Sequence, residues 1–334
     1  MKMNPWIVIF GSIVIFAATF GVSSIMPWIL MDNTPSSIWR PRTELEDYGR
    51  LIYVRNGCTY CHTQYVRNID YESLEERIAE AGDFVADKPH LVGTERTGPD
   101  LSQAGGHHPD DWHVAHFVNP RFTSPASLMP AWLFLGPEKI DALIAYMQSL
   151  GFKMADFRVE RQKYWKEKAI EAFESGPDKN VAWLHSMVPE GWRLIPNPYP
   201  TTDASLARGK RIFQYFCIGC HGPLGDGMGP AEPYLYPPPL NFTILKGRGI
   251  SGGILYYQIM NGITGTAMPY FKDYLESHYI WDVGNYVAVN FIGQTDSDQE
   301  PKGIDASYEP PGNEAVPKLP PIRFPQEQNQ GEKR

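Results

Sequence analysis

The pentapeptide C-x-x-C-H occurs twice, as Cys58-Thr59-Tyr60-Cys61-His62 and as Cys217-Ile218-Gly219-Cys220-His221, and together the two use every cysteine of the 334-residue chain. Two cysteines three apart on one helical turn present both sulfurs to the same side, where they can add to the two vinyl groups of a haem. The histidine that follows then comes under the iron as proximal ligand. A disulfide inside C-x-x-C is one competitor, but redox motifs of that type sit near a βαβ pattern, and neither pair has one. Zinc is the other. A site built from two such pairs wants roughly 15–20 residues between them, whereas these pairs lie far apart and each runs straight into histidine. The expectation is two covalently bound haem c groups, attached through Cys58, Cys61, Cys217 and Cys220, with His62 and His221 as iron ligands.

The second axial ligand must come from later in each half. Met129 stands in Ser-Leu-Met-Pro-Ala-Trp and Met268 in Gly-Thr-Ala-Met-Pro-Tyr. A proline after the methionine fixes φ and removes a donor, which stiffens a loop held against the metal. Methionine opposite histidine also raises the reduction potential relative to two histidines. A lone methionine is more often a core gap-filler; two Met-Pro pairs at equivalent places after two haem motifs read as ligands. Met228 and Met260 are the weaker competitors in the second half. In the first half His90, His107, His108, His113 and His116 also precede Met129, and His113 and His116 share a helix face at i, i+3. They read as surface or haem-edge residues. No histidine lies between His221 and Met268, so His/Met ligation is the firmer reading there.

Residues 3–31 carry no charge and include Ile7, Val8, Ile9, Phe10, Ile13, Val14, Ile15 and Phe16. A spanning helix needs about 20 mainly apolar residues and a signal-peptide core about 7–15, so the run reads as an uncleaved anchor. Trp6 and Trp28 fall near its ends, where interfacial aromatics belong. Lys2 before the span and Arg40, Arg42 and Arg50 after it orient it poorly. Covalent haem attachment of this kind takes place outside the cytoplasm, which puts the following domains on the periplasmic side of the inner (cytoplasmic) membrane.

Behind the anchor the chain repeats one plan. A short amphipathic helix precedes each haem motif, over residues 45–57 and 206–216, each with glycine, a basic residue and an aromatic one turn on: Gly49, Arg50, Tyr53 and Gly209, Lys210, Phe213. After each Met-Pro comes a helix with apolar spacing, through Ile140, Leu143, Ile144, Tyr146 and Met147, and through Tyr279, Ile280, Val283, Tyr286 and Val287. Crossed terminal helices against a haem are the class I cytochrome c plan. The expected fold is mainly α: a transmembrane anchor at 1–32, one cytochrome c domain at 33–151, a linker at 152–204, a second domain at 205–295 and a Pro-rich extended tail at 296–334. The linker opens with a charged helical stretch, 158–173, and its Trp165, Trp183 and Trp192 suggest that it packs. A net charge of −8 offers no basic stripe for nucleic acid.

The first half resembles the mono-haem subunit, subunit II, of cbb-type haem-copper cytochrome oxidases. The resemblance rests on residues 57–67 (Gly-Cys-Thr-Tyr-Cys-His-Thr-Gln-Tyr-Val-Arg), 96–101 (Arg-Thr-Gly-Pro-Asp-Leu), Trp112-His113, Asn119-Pro120-Arg121 and Ser127-Leu128-Met129-Pro130-Ala131. It implies iron ligation by His62 and Met129, and a place for Gln64, Arg67 and Arg121 beside the haem or the catalytic subunit. The second half resembles a widespread cytochrome c module, through residues 220–227 (Cys-His-Gly-Pro-Leu-Gly-Asp-Gly) and 237–242 (Pro-Pro-Pro-Leu-Asn-Phe). A second haem domain departs from the mono-haem plan. The resemblance implies an electron-transfer subunit that takes electrons from a donor cytochrome or a quinol-oxidising complex and delivers them to a membrane-embedded haem-copper oxidase catalytic subunit. The alternatives are the cytochrome subunit of a nitric oxide reductase or of an alternative quinol-oxidising complex and, in another class, a di-haem peroxidase, which needs an open distal site. Nothing in the chain supplies an oxygen-reducing centre, and no residue is expected to be catalytic.

Overall fold

Asn4 caps the first helix by accepting a hydrogen bond from the Trp6 backbone at 3.1 Å, and Pro5 opens it. In this computed structural model, which describes residues 4–30, 34–69, 77–93 and 95–294, that helix, α1, runs Pro5–Leu30. At 1.5 Å per residue it is longer than the roughly 30 Å hydrocarbon layer. None of its side chains is buried against the rest of the chain. The tail expected at 296–334 and the edges of the expected anchor lie outside the described residues. Among the described residues the regular structure is helical, without strands.

Thr43 and Glu46 start α2 (Glu44–Arg55) with a reciprocal cap: Thr43 accepts from the Glu46 backbone, and Glu46 accepts from the Thr43 backbone at 2.7 Å. Then come α3 (Asp110–Val118), α4 (Pro137–Ser149), the long α5 (Phe152–Glu174), α6 (Pro177–Ser186), α7 (Asp203–Ile212), α8 (Gly252–Asn261) and α9 (Ser277–Val287). Two crossings organise them. Helix α2 crosses α4 so closely that a Cβ on Gly49 would fall on the Ala142 carbonyl oxygen. One turn on, Tyr53 meets Tyr146 edge to face, with centroids 5.4 Å apart. Helix α7 crosses α9 in the same way. A Cβ on Gly209 would fall on the Asp282 carbonyl oxygen, and Phe213 packs on Tyr286 at 5.6 Å. Polar contacts lock the second crossing. Arg208 donates twice to the buried Asp282 (2.6 and 2.9 Å), and the Asn285 amide donates to Ser205 at 3.1 Å.

Helix α5 ties the two units together. On the first it is anchored by Arg40, which pairs with both Glu46 and Asp156, and by Arg158, which donates to the carbonyls of Gln103 and Gly105. Gln162 then spans both units: its amide donates to the His107 carbonyl at 3.4 Å and its oxygen accepts from the Gly265 backbone at 2.7 Å. Lys166 pairs with Asp111, which also accepts from the Tyr236 backbone at 3.0 Å. The charged stretch expected within a linker is thus a strut between units.

Overpacking a tight crossing costs about 1–3 kcal/mol. Gly209→Ala should therefore lower the melting temperature in a circular-dichroism scan, as should Gly49→Ala. Gly191→Ala, where a Cβ meets nothing within 4 Å, should leave it unchanged.

Candidate functional site

Each haem motif follows directly on a crossing helix; in the second unit both thiols and the imidazole reach one cavity, whereas in the first Cys58 is partly buried and Cys61 is exposed. In the second unit Cys217, Cys220 and His221 line one side of a cavity, Met268 lies on its wall, and Phe213, Leu240, Leu255, Ile259 and Val287 complete an apolar interior. In the first unit Cys58 and Met129 pack against one cluster built on Tyr53, Phe117, Ile140, Leu143 and Tyr146. All four cysteines are free of disulfides. Burial pushes the thiols of Cys58, Cys217 and Cys220 up to about 12. Among the described residues no group of three or more His, Cys, Asp or Glu side chains could hold a metal ion. A flat apolar group joined by neutral sulfur chemistry fits the donor set.

Both motif histidines are oriented by a backbone carbonyl. His62 Nδ1 lies 2.9 Å from the Pro99 oxygen, and His221 Nδ1 lies 3.3 Å from the Leu240 oxygen. With Nδ1 as donor, Nε2 is the free lone pair, the tautomer a metal ligand requires. Burial lowers the pKa of both rings, that of His221 to about 4, so they are neutral at physiological pH.

The residue after each acceptor carbonyl pins its loop by one device. Asp100 accepts from the Ser102 backbone and hydroxyl (2.8 and 2.6 Å), and Asn241 accepts from the Thr243 backbone and hydroxyl (2.9 and 2.7 Å). In the first unit Asp100 also accepts from Thr63 at 2.5 Å, and Arg96 donates to Thr63 at 2.7 Å. The Met-Pro loops match as well. The Met129 backbone donates to Ser127 Oγ and the Met268 backbone to Thr266 Oγ1, both at 3.2 Å. Arg121 donates to the Met129 carbonyl at 3.3 Å, which fixes that loop from outside. Gln64 is 3% exposed and accepts from the Tyr146 hydroxyl at 2.9 Å. The buried indole Nε1 of Trp132, three residues beyond Met129, has no hydrogen-bond partner among the described residues. It is a donor suited to an acidic edge of a bound group.

Of the histidines before Met129, His90 is exposed, His107, His108 and His116 are partly buried and His113 is buried. His113 is 5% exposed with no partner for Nε2. His108 and His116 stack on the two sides of Trp112 in sequence, at i−4 and i+4. The sequence reading paired His113 with His116 at i, i+3; the i, i+4 spacing about Trp112 was the signal that it passed over.

Burial takes His113 down to about 3, with the neighbouring His116 adding to the effect, and takes His107 and His116 to about 4. An unfolded histidine takes up its proton near 6.5, so below that pH the unfolded chain binds more protons and folding weakens as pH falls. His113 alone should cost about 2 kcal/mol on going from pH 7.5 to 5. Melting temperature against pH should fall over this window, and His113→Gln should flatten the slope.

Residues 1–141 match the family described as cytochrome c oxidase, mono-haem subunit/FixO, and residues 204–287 match cytochrome c oxidase, cbb3-type, subunit III. No curated protein matches the chain. Among solved structures, a reducing HAO-like protein complex of Kuenenia stuttgartiensis aligns at 20% identity over 75% of this chain and 98% of that one. Its TM-score of 0.25 is too low to bear on the fold. Two oxidase-subunit family models thus match successive stretches of the chain, the first of them spanning the apolar helix.

Proposed function

Taking the chain as a cytochrome c electron-transfer subunit of cbb3-type oxidases, associated with a haem-copper catalytic subunit as its two matched families imply, we propose that it carries two covalent haem c groups and conducts electrons through both to that subunit. The observation that carries the reading is the duplicated site: a C-x-x-C-H motif, a histidine Nδ1 on a backbone carbonyl, an Asx-pinned loop and a hydroxyl-pinned Met-Pro loop, each present twice. Cys58 and Cys61 attach the first group and Cys217 and Cys220 the second; His62 with Met129, and His221 with Met268, ligate the irons. The bound haem supplies the one-electron couple. The residues around it set its environment: the two carbonyls fix the imidazoles, the loops present methionine sulfur, and the apolar walls exclude water, so little rearranges when charge changes.

The domains span 33–151 and 205–295, with 152–204 between them. Residues 1–32 anchor them at the periplasmic face of the cytoplasmic membrane, and the donor is a soluble cytochrome or a quinol-oxidising complex. Ligation by methionine on both irons leaves no open distal position of the kind a peroxidase requires.

Purification of the native complex in mild detergent tests this. Co-purifying b-type haem with cyanide-sensitive oxygen uptake is the expected result. A complex that reduces nitric oxide but not oxygen, or that only oxidises quinol, refutes the oxidase assignment. Within the purified chain, Met268→His should lower one midpoint potential by a fraction of the roughly 0.8 V that axial ligands span. The other potential should stay unchanged in a spectroelectrochemical titration.

A further inference from the structure

Trp112 belongs to α3 of the first domain, yet it lines the cavity of the second, together with Cys220 and Leu235. Its indole stacks on the His116 imidazole with centroids 4.6 Å apart and planes 11° apart, and on His108 at 3.7 Å and 10°. Thr123, which lines the same cavity, holds His116 through Nδ1 at 2.7 Å. On its other side His116 meets the Phe117 ring at 6.1 Å, and Phe117 is part of the core against which Cys58 and Met129 pack. A column of packed rings thus runs from the first site to the wall of the second, and α5 holds both ends through Gln162 and Lys166.

We propose that the Trp112–His116 stack is the electronic bridge between the two haem sites, a positioning element for electron exchange within the chain. The proposal rests on the reading that both sites hold haem. Tunnelling weakens steeply with distance, and less steeply through packed atoms than across gaps, so stacked rings that touch both sites favour this route over the remaining interface. The exchange is one electron with no proton: one iron passes from ferrous to ferric as the other does the reverse, and neither ring is oxidised in net terms. A second ring pair crosses the interface, Phe122 on Tyr234 at 5.9 Å. Phe122 packs on the same small cluster as Trp112 and Cys220, but its ring does not line the cavity, which makes it the control for interface packing.

The test uses the full chain in detergent with both haems attached. A photosensitiser injects one electron, and absorbance follows its redistribution between the haems. Trp112→Leu should slow the redistribution severalfold with both midpoint potentials unchanged, Trp112→Phe should restore most of the rate, and Phe122→Leu should match the wild type. A wild-type rate in Trp112→Leu overturns the proposal, as does an equal slowing in Phe122→Leu, which would mean that interface packing alone sets the rate. If Trp112→Leu does not fold, Thr123→Val releases the His116 ring and should slow the exchange; a wild-type rate there overturns the bridge. Potentials separate this outcome from a shift in driving force. A haem count of one per chain refutes the two-haem reading itself, and the bridge with it.

Discussion

Everything in this chain depends on two helix crossings tight enough to exclude a Cβ. At Gly49 and at Gly209 the backbone of one helix rests on a carbonyl of the other, and an aromatic pair one turn on sets the register. The helix that crosses is also the one that runs into C-x-x-C-H, and the helix crossed is the one that follows Met-Pro. Holding them together brings Cys217, Cys220, His221 and Met268 around one apolar space in the second unit, and Cys58 and Met129 against one apolar cluster in the first. Domains of about 100 residues bury too little surface to be generously stable alone, so a covalent group filling that space contributes to the fold as well as to function.

The crossings are local, but their relation to one another is not left to a flexible tether. Gln162 bonds to the first unit with its amide and to the second with its oxygen, and Asp111 accepts from Lys166 and from the Tyr236 backbone. An apolar contact of Ala115 with Ala231, Leu235 and Ala267 fills the space between. Electron exchange depends steeply on separation, and a fixed interface gives it a single value where a floppy linker would give a distribution. The buried neutral His113 and His116 of α3 tie the fold to pH as well.

The repeat was legible because the chemistry of covalent haem leaves residues at fixed spacings: the paired cysteines, the following histidine, the Met-Pro loops, and the Gly-basic-aromatic pattern that marks each crossing. The carbonyls that orient His62 and His221 were not legible, since any peptide can supply one and they lie at different sequence distances, at Pro99 and Leu240. The burial of Gln64 was not legible either, since only the fold reveals the Tyr146 hydroxyl that donates to it. The burial of His113 was not legible, because a sequence shows which residues share a face of their own helix and not what covers that face. Trp112 and the segment around Lys166 gain their meaning only from contacts more than fifty residues away in the chain.

The central claim is that one chain holds two covalent haems in two equivalent sites, and intact mass spectrometry of the purified chain tests it most directly. The account predicts a mass of the polypeptide plus two haems, falling to one when Cys58 and Cys61, or Cys217 and Cys220, are replaced together by serine. A mass showing no haem or a single haem on the unaltered chain would contradict it.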